Sequence, residues 1–296
     1  MIVTDADGRI EAEHLAQQLA TRHPSRVLLI VIDEMMSTYS AFVRTACEFN
    51  AERDAFICWE IVEILSDAVR SVNIAGAVRS LLVDSVPVIT VDFRAYQSTP
   101  VFDADLHQMS DYYFVQAEVV PATARFRGMM PLSWYRTLII RELLGTVFGC
   151  LTQQGKNTTP REIVVCYDQR RERIDPLLAG WLIGRLADQG NYTVSEGAVH
   201  FQYRGAAVGM RWQVAPNEDT QVLKIQFDDG HTLGVTIQRD DHGAIERAEA
   251  RYNDTVFARQ ADQIDLPAYI LAATGNGNEF SEYAAVQRVC IRLPIP

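Results

Sequence analysis

Hydrophobic positions change their period along this chain. Up to about residue 117, stretches with apolar residues every three or four positions alternate with short continuous apolar runs. Ile10 to Arg22 reads as an amphipathic helix with Leu15 and Leu19 on one face. Val27 to Ile32 reads as a strand covered on both faces. Tyr39, Phe42, Val43, Ala46 and Phe49 fall at helical spacing and predict a helix near 38–50. A strand follows near 55–63, a helix over 67–83, a strand at 87–93, a helical stretch from Asp103 to Met109, and a last strand from Tyr112 to Ala117. Such alternation predicts a mostly parallel sheet with helices on its faces.

Arg125 to Pro131 is polar, then carries Gly128 and Pro131, and reads as a linker. Ser133 is the predicted N-cap of a long apolar helix over 134–151. A strand is predicted at Ile163–Tyr167. Asp175 and Pro176 then supply an N-cap and a first helical position for a helix to about 188, stopped at Gly190. From Tyr192 to Phe257 the period becomes two: Val199, Phe201 and Tyr203 alternate with His200, Gln202 and Arg204, and later segments repeat the pattern. Asp228-Asp229-Gly230 and Asp241-His242-Gly243 read as hairpin turns. The fold class expected is α/β: a Rossmann-like, mostly parallel domain at 1–124, then an α+β domain at 125–296 with helices 133–151 and 176–188 and an antiparallel meander at about 192–257.

The formal net charge of −11 argues against a nucleic-acid or anionic-membrane partner, either of which calls for a basic surface. No apolar run approaches a membrane span, and MIVTDADGRI has no basic region followed by an apolar stretch, so the chain reads as cytoplasmic. Basic residues are almost all arginine; Lys156 and Lys224 are the lysines. The five cysteines, Cys47, Cys58, Cys150, Cys166 and Cys290, show no CxxC spacing. A disulfide framework or zinc site is not expected from them.

Little chemistry stands out. Taking 27–32 as the first strand, the dinucleotide position reads Asp33-Glu34-Met35-Met36-Ser37, with no glycine and two carboxylates that repel phosphate. No cofactor is expected. Gly275-Asn276-Gly277 reads as a loop after a helix. His231 and His242 beside aspartates read as turn chemistry rather than metal ligands. Asp33 and Glu34 at a strand's carboxyl end hold the place where open α/β sheets take ligands, with a capping role as the plainer reading.

Four segments carry a family resemblance. His23-Pro24-Ser25-Arg26 leads into VLLIV; Leu81 to Val91 reads LLVDSVPVITV; Leu132-Ser133-Trp134-Tyr135-Arg136 opens an apolar helix; Leu178-Ala179-Gly180-Trp181-Leu182 lies in another. In that order they resemble the OpcA family of glucose-6-phosphate dehydrogenase assembly proteins, with a shortened N-terminus. The resemblance implies a non-catalytic accessory protein that binds glucose-6-phosphate dehydrogenase and shifts its state, with no metal and no cofactor. It marks His23, Ser25, Arg26, Ser133, Trp134, Arg136, Gly180 and Trp181 as partner-facing or motif residues. Self-association is left open. The alternative is a protein or enzyme that binds a small molecule, such as a sugar phosphate, at the strand ends of the first domain.

Overall fold

The computed structural model describes the chain except residues 23–25, 34, 37–38, 51–53, 68–70, 84–85, 95–99, 117–128, 156–157, 168–174, 196, 215–220, 240–244, 261–264, 291 and 294–296. It is α/β, with one mostly parallel sheet and one mixed sheet. Two compact units result. The first holds residues up to 117, the stretch 125–132 and residues 270–275.

The first unit begins with a short strand that the periodicity did not reveal, β1 (Ile2–Asp5), followed by α1 (Arg9–Arg22) and β2 (Arg26–Ile32). Then come β3 (Ser40–Asn50), β4 (Ala55–Ser66), α2 (Ser71–Leu81), β5 (Ile89–Asp92), α3 (Pro100–Met109), β6 (Tyr112–Val115) and β7 (Met129–Pro131). Their order across the sheet is β3-β4-β2-β1-β5-β6-β7. Every neighbouring pair is parallel except β3 with β4. Without β3, the strands run 3-2-1-4-5-6, the order of dinucleotide-binding sheets. The centre is fully apolar: Ile2, Val3, Leu29, Ile30 and Phe114 are all buried.

Two expectations for this unit are corrected. Residues 40–50 form strand β3, not a helix, and pair along their whole length with β4. Val43, Thr45 and the aromatic residues favour a strand, and the tertiary pairing overrides a helical spacing that only five residues carried. Met129–Pro131, read as linker, is strand β7, parallel to β6; the rest of that reading, 125–128, lies outside the described residues.

The second unit takes up the chain at Ser133, within α4 (Leu132–Arg136), and continues through α5 (Leu138–Gln153), β8 (Pro160–Tyr167) and α6 (Asp175–Leu186). Next come β9 (Tyr192–Ser195), β10 (Ala198–Tyr203), β11 (Ala206–Val214), β12 (Gln221–Phe227), β13 (Thr232–Arg239), β14 (Ile245–Tyr252) and β15 (Thr255–Gln260). Helices α7 (Leu266–Asn276), of which 270–275 group with the first unit, and α8 (Asn278–Cys290) close the chain. The sheet order is β15-β14-β13-β12-β8-β11-β10-β9. Its pairs are antiparallel except β8 with β11, which run parallel. Helix α5 lies on β14 and β15, and α6 packs against α8.

The expected helix 134–151 is two helices. Ser133 is buried inside α4, and Thr137 stands at the N-cap of α5. The Gly275-Asn276-Gly277 loop is a helix end: α7 runs to Asn276, and Gly277 takes φ +66°. The cysteine reading is also corrected, because Cys47 and Cys58 form a disulfide between β3 and β4. No motif spacing announces it, since the two positions meet only when the hairpin register does. No helix among the described residues is long and apolar enough to cross a membrane.

Candidate functional site

In an open parallel sheet, ligands sit beyond the carboxyl ends of the strands, where the strand order reverses. Here the reversal lies between β1 and β5. Ile2 of β1 pairs with both Leu29 of β2 and Val91 of β5, so successive connections leave β1 on opposite sides. The loops after β1, β2 and β5 therefore frame the candidate site.

The first of these is Asp5-Ala6-Asp7-Gly8. Asp5 and Asp7 are exposed. The Gly8 amide donates to Asp5 Oδ1 at 2.8 Å, so a carboxylate already caps the start of α1. Gly8 allows the helix to start tight against its strand: an added Cβ would lie 2.5 Å from Thr4 Oγ1. Arg9, the first helical residue, is held by acids of the first unit. Its Nη2 lies 2.7 Å from Glu63 Oε1, and its Nε lies 3.0 Å from Glu13 Oε1. Glu63 is buried on β4 and also receives Arg44 at 3.1 Å.

At the end of β2, Asp33 is half-buried. It accepts the Met35 amide at 2.9 Å and donates its own amide to Ser66 O at 2.9 Å. At the end of β5, Asp92 is buried. Its carboxylate takes Arg94 Nε at 2.9 Å, Arg94 N at 3.1 Å and the Tyr113 hydroxyl at 2.7 Å. Tyr113 in turn stacks on His107, with ring centroids 4.0 Å apart. This cluster fixes the loop after β5, because a carboxylate at 4% exposure needs such partners.

A sheet of this order raises the question of a dinucleotide. The residues present do not fit its pyrophosphate. The fingerprint uses three glycines and leaves the helix N-terminus open for phosphate. This turn has one glycine, its amide is occupied by Asp5, and Asp5 and Asp7 repel an anion. Asp33 follows the second strand in chain order, not the first, so the pyrophosphate position of this sheet is Asp5–Gly8 rather than 33–37.

The residues marked by the family resemblance lie elsewhere. His23 and Ser25 lie outside the described residues. Arg26 ties the amino end of β2 to Glu60 on β4 and to Leu81 O at the end of α2. Trp134 is fully buried, and Trp181 is 9% exposed. Their indole N–H groups donate to Glu279 and Glu282 on α8, each at 3.0 Å. Arg136 is half-buried on α4. Gly180 lets α6 approach α8: a Cβ there would stand 2.6 Å from Cys290 Sγ and 3.0 Å from Val286 Cγ1. His231, weighed as a ligand, pairs with Asp229 at 2.8 Å inside the Asp228–Gly230 turn; His242 lies outside the described residues. The framing residues Asp5, Gly8, Asp92, Arg94 and Tyr113 escaped sequence reasoning. The signal available was Ile-Val-Thr-Asp followed by a helix start, only four residues long.

No family model matches this chain, and no curated protein matches it. Solved structures do. The candidate oxidoreductase yvaA from Bacillus subtilis is 8% identical over 97% of this chain and 94% of its own, with a TM-score of 0.45. The candidate oxidoreductase YPO2259 from Yersinia pestis is 11% identical over 98% and 93%, with a TM-score of 0.44. The probable oxidoreductase yhhX is 11% identical over 98% and 95%, with a TM-score of 0.49. The expectation of an OpcA-type, non-catalytic assembly protein for glucose-6-phosphate dehydrogenase is corrected accordingly: neither family models nor curated proteins answer to it, and the structures found are named for enzymes. Short apolar helices around a tryptophan arise from core packing in many folds, and that is how Trp134 and Trp181 are used here.

Proposed function

We propose that this chain is an enzyme that binds a small, phosphate-free molecule at the carboxyl edge of its first sheet, between β1 and β5. The strand order, with its reversal at β1, carries the reading, because it opens a crevice at that edge. The chemistry of the rim narrows the ligand. Asp5 and Asp7 are exposed and Asp33 is half-buried, whereas Arg9 and Arg94 are engaged by acids. Ionised carboxylates accept hydrogen bonds from hydroxyl and ammonium groups and move protons as general acids or bases. A polyol or an amine suits this rim; a phosphate does not.

A dinucleotide-dependent oxidoreductase is the second reading. Asp33 favours it, standing at the end of the second parallel strand, where such enzymes place an acid on the ribose. Asp5 and Asp7 oppose it. Ligand-induced thermal stabilisation separates the two. Free sugars, polyols and amines are compared with sugar phosphates and with nicotinamide dinucleotides, on the wild type and on Asp7→Asn and Asp33→Asn. Stabilisation by phosphate-free compounds, lost in both variants, supports the first reading. Stabilisation by dinucleotides alone supports the second. No stabilisation by any class sinks both.

A further inference from the structure

Among the described residues, β3 is a free edge of the first sheet, and it is unprotected. It runs eleven residues, pairs with β4 in unbroken register, and contains neither proline nor lysine. Natural edges are usually short, bulged or guarded by such residues. Only Glu60–Ser66 of β4 pair with β2, so 46–50 and 55–59 extend as a two-stranded ribbon. Phe42, Val43, Phe49 and Phe56 are 52–71% exposed along this hairpin. An isolated ribbon of this kind is marginal in water.

The disulfide reveals which backbone groups face outward. Cys47 and Cys58 stand directly opposite with Cα atoms 4.0 Å apart, the close spacing of a non-hydrogen-bonded pair. The odd-numbered residues Ala41, Val43, Thr45, Cys47 and Phe49 therefore direct their N–H and C=O groups away from β4, toward the free edge.

We propose that β3 pairs with β3 of a second copy of this chain, antiparallel, about a two-fold axis at Ala46. That register joins outward-facing residues: Thr45 to the partner's Cys47, and Val43 to the partner's Phe49. It also places Arg44, whose guanidinium lies 3.1 Å from Glu63 of its own chain, at the register position opposite the partner's Glu48, twice by symmetry. Centring on Thr45 places Phe42 against the partner's Glu48, and centring on Arg44 sets two arginines together. Among these registers, only the one centred on Ala46 matches both charge and apolarity. The occupant is thus this same strand, because β3 is complementary to itself.

The test uses the full chain in sedimentation equilibrium together with two variants. At the axis, Ala46 faces the partner's Ala46 at the close spacing of about 4.5 Å. Oxidised Ala46→Cys is expected to give an interchain disulfide, and Ala41→Cys is not. Val43→Pro removes an outward N–H that β4 does not use, so it is expected to raise the dimer dissociation constant about tenfold or more. Its far-UV spectrum and its Cys47–Cys58 bond should stay as in the wild type. A monomeric wild type overturns the proposal. So does a dimer that survives Val43→Pro, or one that leaves Ala46→Cys uncrosslinked.

Discussion

Trp181 donates its indole N–H to Glu282, 3.0 Å away and 101 residues later in the chain. The bond belongs to a network joining α4, α5, α6, α7 and α8. Glu282 also takes Arg185 and Arg141; Glu279 takes Arg141, Trp134 and the Tyr269 hydroxyl. Arg141 is 5% exposed, and its guanidinium lies 3.8 Å over the Trp134 ring. The two tryptophans are thus internal struts, each satisfied by a carboxylate on α8.

Removing the shared cation takes from Glu279 its guanidinium partner, while Glu282 keeps Arg185. Arg141→Met is expected to destabilise the protein by about 3–5 kcal/mol, read from urea unfolding. Arg141→Met combined with Glu279→Gln should recover part of that loss. A cost below about 1 kcal/mol for the single change would show that the network is not coupled as described.

Two glycines on α6 separate packing from propensity. Gly180→Ala drives a methyl into Cys290 and Val286 and is expected to cost about 1–3 kcal/mol. Gly184→Ala meets nothing within 4 Å and is exposed, so it is expected to stabilise by about 0.5–1 kcal/mol. Equal effects from the two would contradict the close approach of α6 to α8.

Burial raises the Tyr135 hydroxyl to about 12, with Asp265 adding to the rise. Burial, then Glu279, pushes Tyr269 upward as well. The folded state thus holds these protons more tightly than the unfolded chain, whose tyrosines ionise near 10. Their contribution is intact below pH of about 10 and is lost as pH rises through the folded value. Urea midpoints should therefore be insensitive to these groups at neutral pH and fall above pH of about 10. Tyr135→Phe should soften that fall, and an unchanged alkaline slope would count against the assignment.

The loop after β5 rests on one carboxylate. Asp92→Asn weakens its bonds to Arg94 and gives the donating Tyr113 hydroxyl a weaker acceptor at position 92. It is expected to cost about 1.5–3 kcal/mol, the range for hydrogen bonds to charged groups. Tyr113→Phe, which removes one bond, should cost less. Thermal unfolding of both variants orders them, and the reverse order would show that Tyr113 carries the loop.

Much of the architecture was legible because it is periodic. Strand β2, helix α6 and the alternating strands from residue 192 each bury a regular set of positions. What failed was short or paired at a distance. Strand β1 has four residues, too few for a period to appear, and missing it shifted the supposed phosphate loop from Asp5–Gly8 to Asp33. Tyr39 and, in β3, Phe42, Val43, Ala46 and Phe49 mimic a helix face in sequence, and only the register of 40–50 with β4 makes that segment a strand. The same pairing made the Cys47–Cys58 bond invisible beforehand. Trp134 and Trp181 stand out in the sequence, but their partners Glu279 and Glu282 lie far along the chain, on a helix the motif does not include.

The proposed function requires that a sheet with dinucleotide-binding order carry a rim that rejects a pyrophosphate. Fluorescence titration of the wild-type chain with NADH tests it most directly. No saturable change is expected, because Asp5 occupies the Gly8 amide and Asp7 adds a second negative charge at the head of α1. Saturable binding that weakens in Asp33→Asn would contradict it and place a dinucleotide on this edge after all.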